Sequence, residues 1–329
     1  MFALKLLFSI VISFLITLYV VPMLCKVATK LGIIDVPDGN IKRHEKAVPY
    51  LGGVAVYIGF IAGLSLVFPF ENNIFSLLVG ATLLLFVGLI DDLVVLQPRQ
   101  KFVGQMLAAL CFLKGGLFLK EQFFKEYWLV GLPISFLWIL VMTNAFNLVD
   151  VMDGLATTIA IGTTGTLLLT TVLFNQNQAA LLLGPLLGAL VAFLRYNRPP
   201  AHIYLGDAGA LFVGGFLAAT PFLFSWSEQN PWGYITPVII LAIPLLEMAG
   251  LILIRTYKGI AFYNASPDHF SLYLLRKGWS KWQVLGLVWG IIGILAAYSL
   301  LFLTYSITLL QAGAVGFLGI IAWTAVIFL

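Results

Sequence analysis

The sequence predicts an all-α integral membrane protein, a polytopic bundle of about eleven transmembrane helices, or ten, with its candidate active-site loops on the cytoplasmic face. Three observations predict it. The 329 residues are 61% hydrophobic and only 10% charged, with a mean hydropathy of +1.03, more apolar surface than a soluble fold can use. Apolar runs near the ~20 residues a helix needs to cross a bilayer recur along the whole length. The polar residues between the runs are gathered rather than scattered: all eight aspartates and all three histidines fall in five short segments.

The runs lie at 4–25, 49–69, 74–90, 102–119, 127–146, 155–174, 178–194, 209–226, 233–254, 283–304 and 307–329. They are helices rather than barrel strands, because barrel strands alternate in polarity and these runs do not. The first carries Lys5 near its start, but no small-residue cleavage site follows it, so it reads as a retained helix and not as a signal peptide. No stretch reads as a soluble domain and no repeat is visible, so residues 1–329 form one polytopic domain. Cys25 and Cys111 lie in or at the end of apolar runs and read as small hydrophobes, with no disulfide expected.

With the stretch 26–48 placed inside, fourteen of the eighteen Lys and Arg fall in alternate loops, together with every Asp and His. That is the positive-inside asymmetry of a multi-pass protein of the cytoplasmic membrane. The formal net charge of +4 understates the basic inner surface, which suits anionic lipid and a phosphorylated substrate. Nucleic acid is not expected as a partner, and a homodimer is compatible with the chain.

The first polar segment runs from Asp35 through Lys42, Arg43 and His44 to Pro49 and Gly53, a turn-rich loop of mixed charge. The second opens on Asp91-Asp92, two adjacent carboxylates ending an apolar run, and continues through Pro98, Lys101 and Gln105. Adjacent acids repel unless Lys101 or another cation compensates, although an N-cap pair for the next helix would also explain them. Successive helical residues point about 100° apart, so the two should be unequal: one faces the reaction and the other braces Lys101 or a metal shell, with Asp92 expected to carry the larger catalytic share.

The third segment spaces Asn144, Asn147, Asp150 and Asp153 three apart before Gly154. An α-helix cannot carry all four on one face, so either the backbone tightens toward 3₁₀ or the helix ends near Gly154. Either way hard oxygens gather at a helix end, which suits Mg²⁺, or Mn²⁺ as the alternative, rather than zinc. The fourth segment sets Arg195, Asn197 and Arg198 before His202, Gly206 and Asp207; its guanidinium groups and helix-start amides favour phosphate oxygens. The fifth, Arg255 to Lys281, holds Asp268-His269 and Arg276; Glu247 just before it reads as a partner for Arg255.

The set Pro49-x-Leu-Gly-Gly53, Asp91-Asp92 through Pro98 and Lys101, Asn144-x-x-Asn147-x-x-Asp150-x-x-Asp153-Gly154, and Gly206-Asp207-x-Gly209 resembles the polyprenyl-phosphate N-acetylhexosamine-1-phosphate transferases, integral membrane enzymes like those of glycosyltransferase family 4. The likeness runs in order from about residue 35 to 280. It implies a Mg²⁺-dependent phosphotransferase that moves a sugar-1-phosphate, GlcNAc-1-phosphate in the best-fitting branch, from a UDP-aminosugar to a polyprenyl phosphate such as undecaprenyl phosphate. UMP is released, and the product begins cell-envelope glycan assembly.

The resemblance further implies that Asn147 and Asp207 are metal ligands and Asp91 and Asp92 the catalytic pair. Asp150 and Asp153 become supporting carboxylates on the nucleotide or metal side. Lys42, His44 and Lys101 meet phosphate, His269 meets sugar or phosphate, and Asn144, Arg195, Asn197 and Arg276 complete the substrate-binding set. Two positions depart from the family pattern. Tyr50 stands where the family usually has Arg, and Asp268-His269-Phe270-Ser271-Leu272 keeps one His where the muramyl-pentapeptide branch shows three adjacent. The second departure points to the UDP-N-acetylglucosamine branch, with phospho-MurNAc-pentapeptide transfer as the alternative.

The chemistry is consistent in itself. A phosphate monoester has a second pKa of ~6, so a lipid phosphate is mostly dianionic at neutral pH and hardly needs a base. The harder task is to bring it against an anionic diphosphate. Asp91 or Asp92 either removes the residual proton or attacks to form a phospho-aspartyl intermediate. An ion-coupled transporter is the rival from another class, but its acids should lie at mid-membrane on broken helices. A membrane prenyltransferase would need paired Asp-x-x-x-Asp clusters, which the sequence lacks.

The charge count makes a topological prediction. Cysteines placed in 26–48, 91–101, 144–157, 195–209 and 255–281 should resist impermeant thiol reagents applied to intact cells. Ready labelling near Asp207 would overturn the orientation.

Overall fold

The computed structural model describes residues 1–35, 47–67, 72–121, 124, 127–228, 230–261, 263–264 and 266–305, with isolated positions from 311 to 324. Lys42 and His44 lie outside the described residues, as does nearly all of the run expected at 307–329.

Eight helices lead the chain: α1 (Phe2–Leu31), α2 (Gly52–Ser65), α3 (Asn72–Val94), α4 (Pro98–Lys114), α5 (Trp128–Val149), α6 (Leu155–Leu173), α7 (Asn177–Asn197) and α8 (Gly206–Ala219). Two 3₁₀ turns, Thr220–Leu223 and Gly233–Ile235, lead into α9 (Thr236–Ile240) and α10 (Ala242–Tyr257). The short α11 (Phe270–Arg276) and the long α12 (Lys281–Thr304) follow.

Every expected run within the described residues is helical. Among the described residues seven helices are long and apolar enough to cross a membrane, or eight if the bent pair 233–257 counts as one span. The fold is therefore an all-α membrane protein, with α2 and α4 shorter, at 14 and 17 residues.

Burial sorts the helices. The apolar windows of α6 and of the span Gly206–Leu223 are each 83% buried by protein, against 22% for α1 and 28% for α12, so the first two form the centre and the last two face lipid. The threonines of α6 tolerate this position because their hydroxyls bond the preceding turn: Thr166 donates to the Gly162 carbonyl and Thr170 to that of Thr166, each at 2.8 Å. Around this centre α1 packs on α2 and α7, α3 on α4 and α8, α5 on α8 and α10, and α12 on α6.

The run expected as one helix over 233–254 is broken. Its halves meet at 68°, between Ile240 and Ala242. Pro244 has no N–H to donate to the Ile240 carbonyl, so the helical ladder fails one turn back from it.

A second feature was absent from the all-helical reading. Ile34–Asp35 pairs antiparallel with Val48–Pro49, and the same stretch then pairs with the fourth polar segment. Tyr204 N–H donates to the Pro49 carbonyl at 2.9 Å, Gly52 N–H to that of Tyr204 at 3.0 Å and Gly53 N–H to that of Leu205 at 2.8 Å. This explains why α2 begins at Gly52 rather than at 49.

Close backbone approach fixes α8. A Cβ on Gly53 would lie 2.1 Å from Gly209 N, and one on Gly88 would lie 2.3 Å from the Asp207 carbonyl oxygen. Small residues at such crossings are how helices approach closely in lipid, where no hydrophobic force drives them together. Gly53→Ala and Gly88→Ala should each lower stability by about 2 kcal/mol through overpacking. Gly165→Ala, with nothing within 4 Å of its added methyl, should leave it unchanged or slightly raised. Thermal unfolding in detergent tests the contrast, and equal behaviour of the three variants would refute it.

Candidate active site

The site forms where the C-terminal ends of α3 and α5 meet the N-terminus of α8. A helix start leaves backbone N–H groups without intrahelical partners and carries positive potential. Here they are taken by side chains of two other helices. Asp92 Oδ1 accepts from Asp207 N–H at 2.9 Å and Asp92 Oδ2 from Ala208 N–H at 3.1 Å, while the Gly206 N–H bonds Asp150. The sequence suggested that these amides would hold phosphate oxygens; the structure corrects this, because carboxylates already occupy them. Gly206 adopts φ +72°, and a Cβ there would lie 2.6 Å from Asp92 Oδ2, so glycine is required on both counts.

Asp91 turns the other way. Its Oδ1 accepts from Leu96 N–H at 2.6 Å, and its Oδ2 lies 2.8 Å from Lys101 Nζ. The adjacent acids are unequal, but with the roles exchanged: Asp92, expected to face the reaction, spends both oxygens on the start of α8, and Asp91 braces Lys101. The Lys101 ammonium also bonds Asp207 Oδ2, and it donates to Asn147 Oδ1 at 3.2 Å. Asn147 Nδ2 donates to Asp207 Oδ1 at 2.7 Å. Asp91, Lys101, Asn147 and Asp207, drawn from three sequence segments, therefore form one network.

The third segment resolves as a helix end. α5 stops at Val149, Asp150 caps it, and Gly154, at φ +74°, starts α6. Burial pushes the Asp150 carboxyl up to about 8, with repulsion from Asp207 and Asp92 adding to it. A carboxyl so raised favours the folded state while protonated, and that contribution is lost as pH rises from about 4 through about 8. Asp153 binds Lys281 Nζ at 2.7 Å and the Ala201 N–H at 3.2 Å, both through Oδ2.

Asn144 sits one turn deeper than Asn147 and pairs with Gln105, its Nδ2 2.7 Å from Gln105 Oε1 and its Oδ1 3.2 Å from Gln105 Nε2. Asn197 is 2% exposed and commits both amide ends inside the fold, accepting from Thr157 Oγ1 at 2.7 Å and donating to the Ile203 carbonyl at 3.0 Å. It was expected to contact substrate; here it shapes the 198–205 loop instead. Arg195 is exposed at the end of α7.

The fifth segment forms its own cluster. His269 Nδ1 lies 3.0 Å from Glu247 Oε1, which also accepts from Phe270 N–H at 3.3 Å; both side chains are buried. Glu247 also keeps the expected charge–charge interaction with Arg255, whose Nε donates to Ser266 Oγ at 2.9 Å. Burial opposes ionisation of Asp268, but Lys258 at 2.6 Å, with Ser266 and Arg276, holds it below the usual carboxylate range. Arg276 Nη2 donates to the Pro267 carbonyl at 3.0 Å. Among the described residues no hydrogen bond or ion pair joins His269 or Arg276 to the Asp cluster. Lys281 is the nearest tie between the two regions, and its place at the head of an apolar helix was its one sequence signal.

Two tyrosines flank the cluster. The Tyr50 and Tyr204 rings lie 6.0 Å apart. Burial raises the Tyr50 hydroxyl pKa, and the Asp35 carboxylate it hydrogen-bonds raises it further. Asp35 is itself buried, 8% exposed, in the short strand pair. Sequence reasoning missed this trio because the pairing of 34–35 with 48–49 bridges a long loop.

The donor set fits a hard cation. Asp91, Asp207 and the Asn147 amide oxygen converge on Lys101, itself a cation, and all are oxygen donors of the kind Mg²⁺ prefers. Among the described residues no three Asp, Glu, His or Cys side chains are grouped for a metal without that amide.

This assembly, an acidic oxygen cluster at one end of an apolar helical bundle, is that of a membrane transferase acting on phosphorylated substrates. The sequence pattern of glycosyl transferase family 4 matches residues 74–225, which span α3 to the chain just past α8. A probable undecaprenyl-phosphate N-acetylglucosaminyl 1-phosphate transferase of Bacillus subtilis is 29% identical over 281 residues, covering 83% of this chain and 78% of the relative. The phospho-N-acetylmuramoyl-pentapeptide-transferase of Limosilactobacillus reuteri is 30% identical over 318 residues, covering 88% and 94%. A Bacillus cereus enzyme of that second name is 28% identical over 311 residues, covering 85% and 92%. The chain belongs to glycosyl transferase family 4.

Removing the ammonium should expose the repulsion it offsets. Lys101→Met should cost about 3 kcal/mol of stability, the scale of a partly buried charge left without its partner. Added Mg²⁺ should restore part of that loss more effectively than it stabilises the parent protein. A variant of unchanged stability and no Mg²⁺ response would show that these oxygens do not form a cation site.

Proposed function

We propose that the protein transfers a sugar-1-phosphate, most simply GlcNAc-1-phosphate, from a UDP-aminosugar to a polyprenyl phosphate such as undecaprenyl phosphate, releasing UMP. The observation that carries this reading is the convergence of Asp91, Asp207 and Asn147 on one cationic group at a single end of a lipid-embedded bundle. Substrates that are anionic at one end and isoprenoid at the other would meet at such a place. The likeness to the Bacillus subtilis relative supports the GlcNAc donor, as does the single His of the 268–272 segment. We place about eleven spans in the membrane, with the site facing the cytoplasm on the strength of the loop charges.

Asn147 and Asp207 would hold Mg²⁺, with Mn²⁺ as the alternative. The ion would supply neutralisation of the diphosphate and of the departing UMP. Lys101, released from part of its present network, would turn to a phosphate oxygen. Asp91 is the carboxylate placed beside Lys101 and Asp207 to take the residual proton of the acceptor phosphate or to attack the donor. Asp92, with both oxygens on backbone N–H groups, fixes the position of Asp207 instead. Asp150 and Asp153 support the loop that leads into α8, while contacts of Lys42, His44, Arg195, His269 and Arg276 with phosphate or sugar are part of the proposal alone.

Purified protein given radiolabelled UDP-GlcNAc and undecaprenyl phosphate should form a chloroform-soluble sugar lipid. Chelation with EDTA should abolish the reaction and Mg²⁺ restore it, while Asp91→Asn should lower turnover by roughly 10²-fold or more. Product from UDP-MurNAc-pentapeptide alone would move the chain to the other branch. Product from neither donor would refute the transferase reading.

A further inference from the structure

A cavity of about 740 Å³ opens at the end of the bundle opposite the Asp cluster. Its walls come from the chain just after α4, from the first half of α5, and from the stretch between α8 and α9. That volume is typical of a small-molecule site. The transferase chemistry makes no use of it.

The walls are aromatic and held in place by one another. Phe124 meets Tyr234 edge to face at 5.7 Å, and Phe224 lies 5.2 Å from Trp226. Trp138 is fixed through Nε1 to the Ala218 carbonyl at 3.0 Å, and Trp226 through Nε1 to that of Pro221 at 2.9 Å. The polar groups among these rings are of both signs. Glu121, whose Oε1 accepts from Trp226 N–H at 2.9 Å, and Glu228 supply carboxylates, and Lys120 supplies an ammonium 4.9 Å from the Phe118 ring. Ser227 also lines the space, and its Oγ is buried with no hydrogen-bond partner among the described residues. A buried hydroxyl is rarely left so, since it forfeits its bonds to water.

These features select a ligand class. Ring faces beside carboxylates are the surroundings that attract an organic ammonium. Lys120 and the Ser227 hydroxyl ask instead for an anionic oxygen. A purely anionic lipid would meet Glu121 and Glu228, and a simple amine would leave Lys120 and Ser227 unanswered. The remaining wall is apolar and belongs to spans embedded in lipid. We propose that this cavity is a binding site for an aminophospholipid, with its ammonium among the rings and Glu228, its phosphate toward Lys120 and Ser227, and an acyl chain along the apolar wall.

Native mass spectrometry of the full chain, delipidated in detergent and titrated with phosphatidylethanolamine or phosphatidylglycerol, tests this. One phosphatidylethanolamine should be retained at least tenfold more tightly than phosphatidylglycerol. Glu228→Gln and Lys120→Gln, both exposed substitutions, should each weaken retention by about tenfold, the scale of one cation–π or charged contact. Val238→Trp, which places an indole in the cavity, should abolish it and leave sugar-phosphate transfer at the parent rate. Equal retention of the two lipids, retention unchanged in all three variants, or no lipid retained at all would each overturn the assignment.

Discussion

The N-terminus of α8 is the constraint on which the site depends. Its first N–H groups point into the protein, where Gly206 and Ala208 are buried, and each left unpaired would be costly. Asp92 and Asp150 satisfy them from α3 and α5. Each of these contacts brings a further acid with it: Asp91 is Asp92's neighbour, Asp207 is the residue whose N–H is capped, and Asp153 follows Asp150 by one turn. Capping one helix therefore concentrates five carboxyl groups in a small volume.

That concentration is stable only with positive charge among it. Lys101 sits against three of the oxygens and Lys281 against Asp153. Two ammonium groups do not balance five acids, and the raised Asp150 shows part of the remainder. Protonation answers part of that imbalance, and the proposed metal, bound with a diphosphate, would answer more of it.

The helices and the acid motifs were largely legible in the sequence. Asp91, Lys101, Asn147 and Asp207 were each singled out by their place in a polar break, and the fold does bring them together. What the sequence could not show was the division of labour between Asp91 and Asp92, since helix geometry says that two neighbours differ but not which faces what. The break at Leu241 was hidden by apolar residues on both sides, although Pro244 was its local signal. Asn197 looked like a substrate contact because it stands between Arg195 and Arg198 in a polar segment. Only the positions of Thr157 and Ile203, distant or unremarkable in sequence, reveal that its amide is already used. The strand pairing of 34–35 with 48–49 escaped because two residues per strand leave no periodicity to read.

The pairing of 49–53 with 204–205 is made by main-chain atoms alone. Tyr50 and Tyr204 stand on that ladder, yet neither ring is needed to build it. Side chains at these two positions are thus free to change over evolutionary time without loosening the frame that carries Gly206 and Asp207. The start of α8 is thereby held in register by atoms that every residue type supplies.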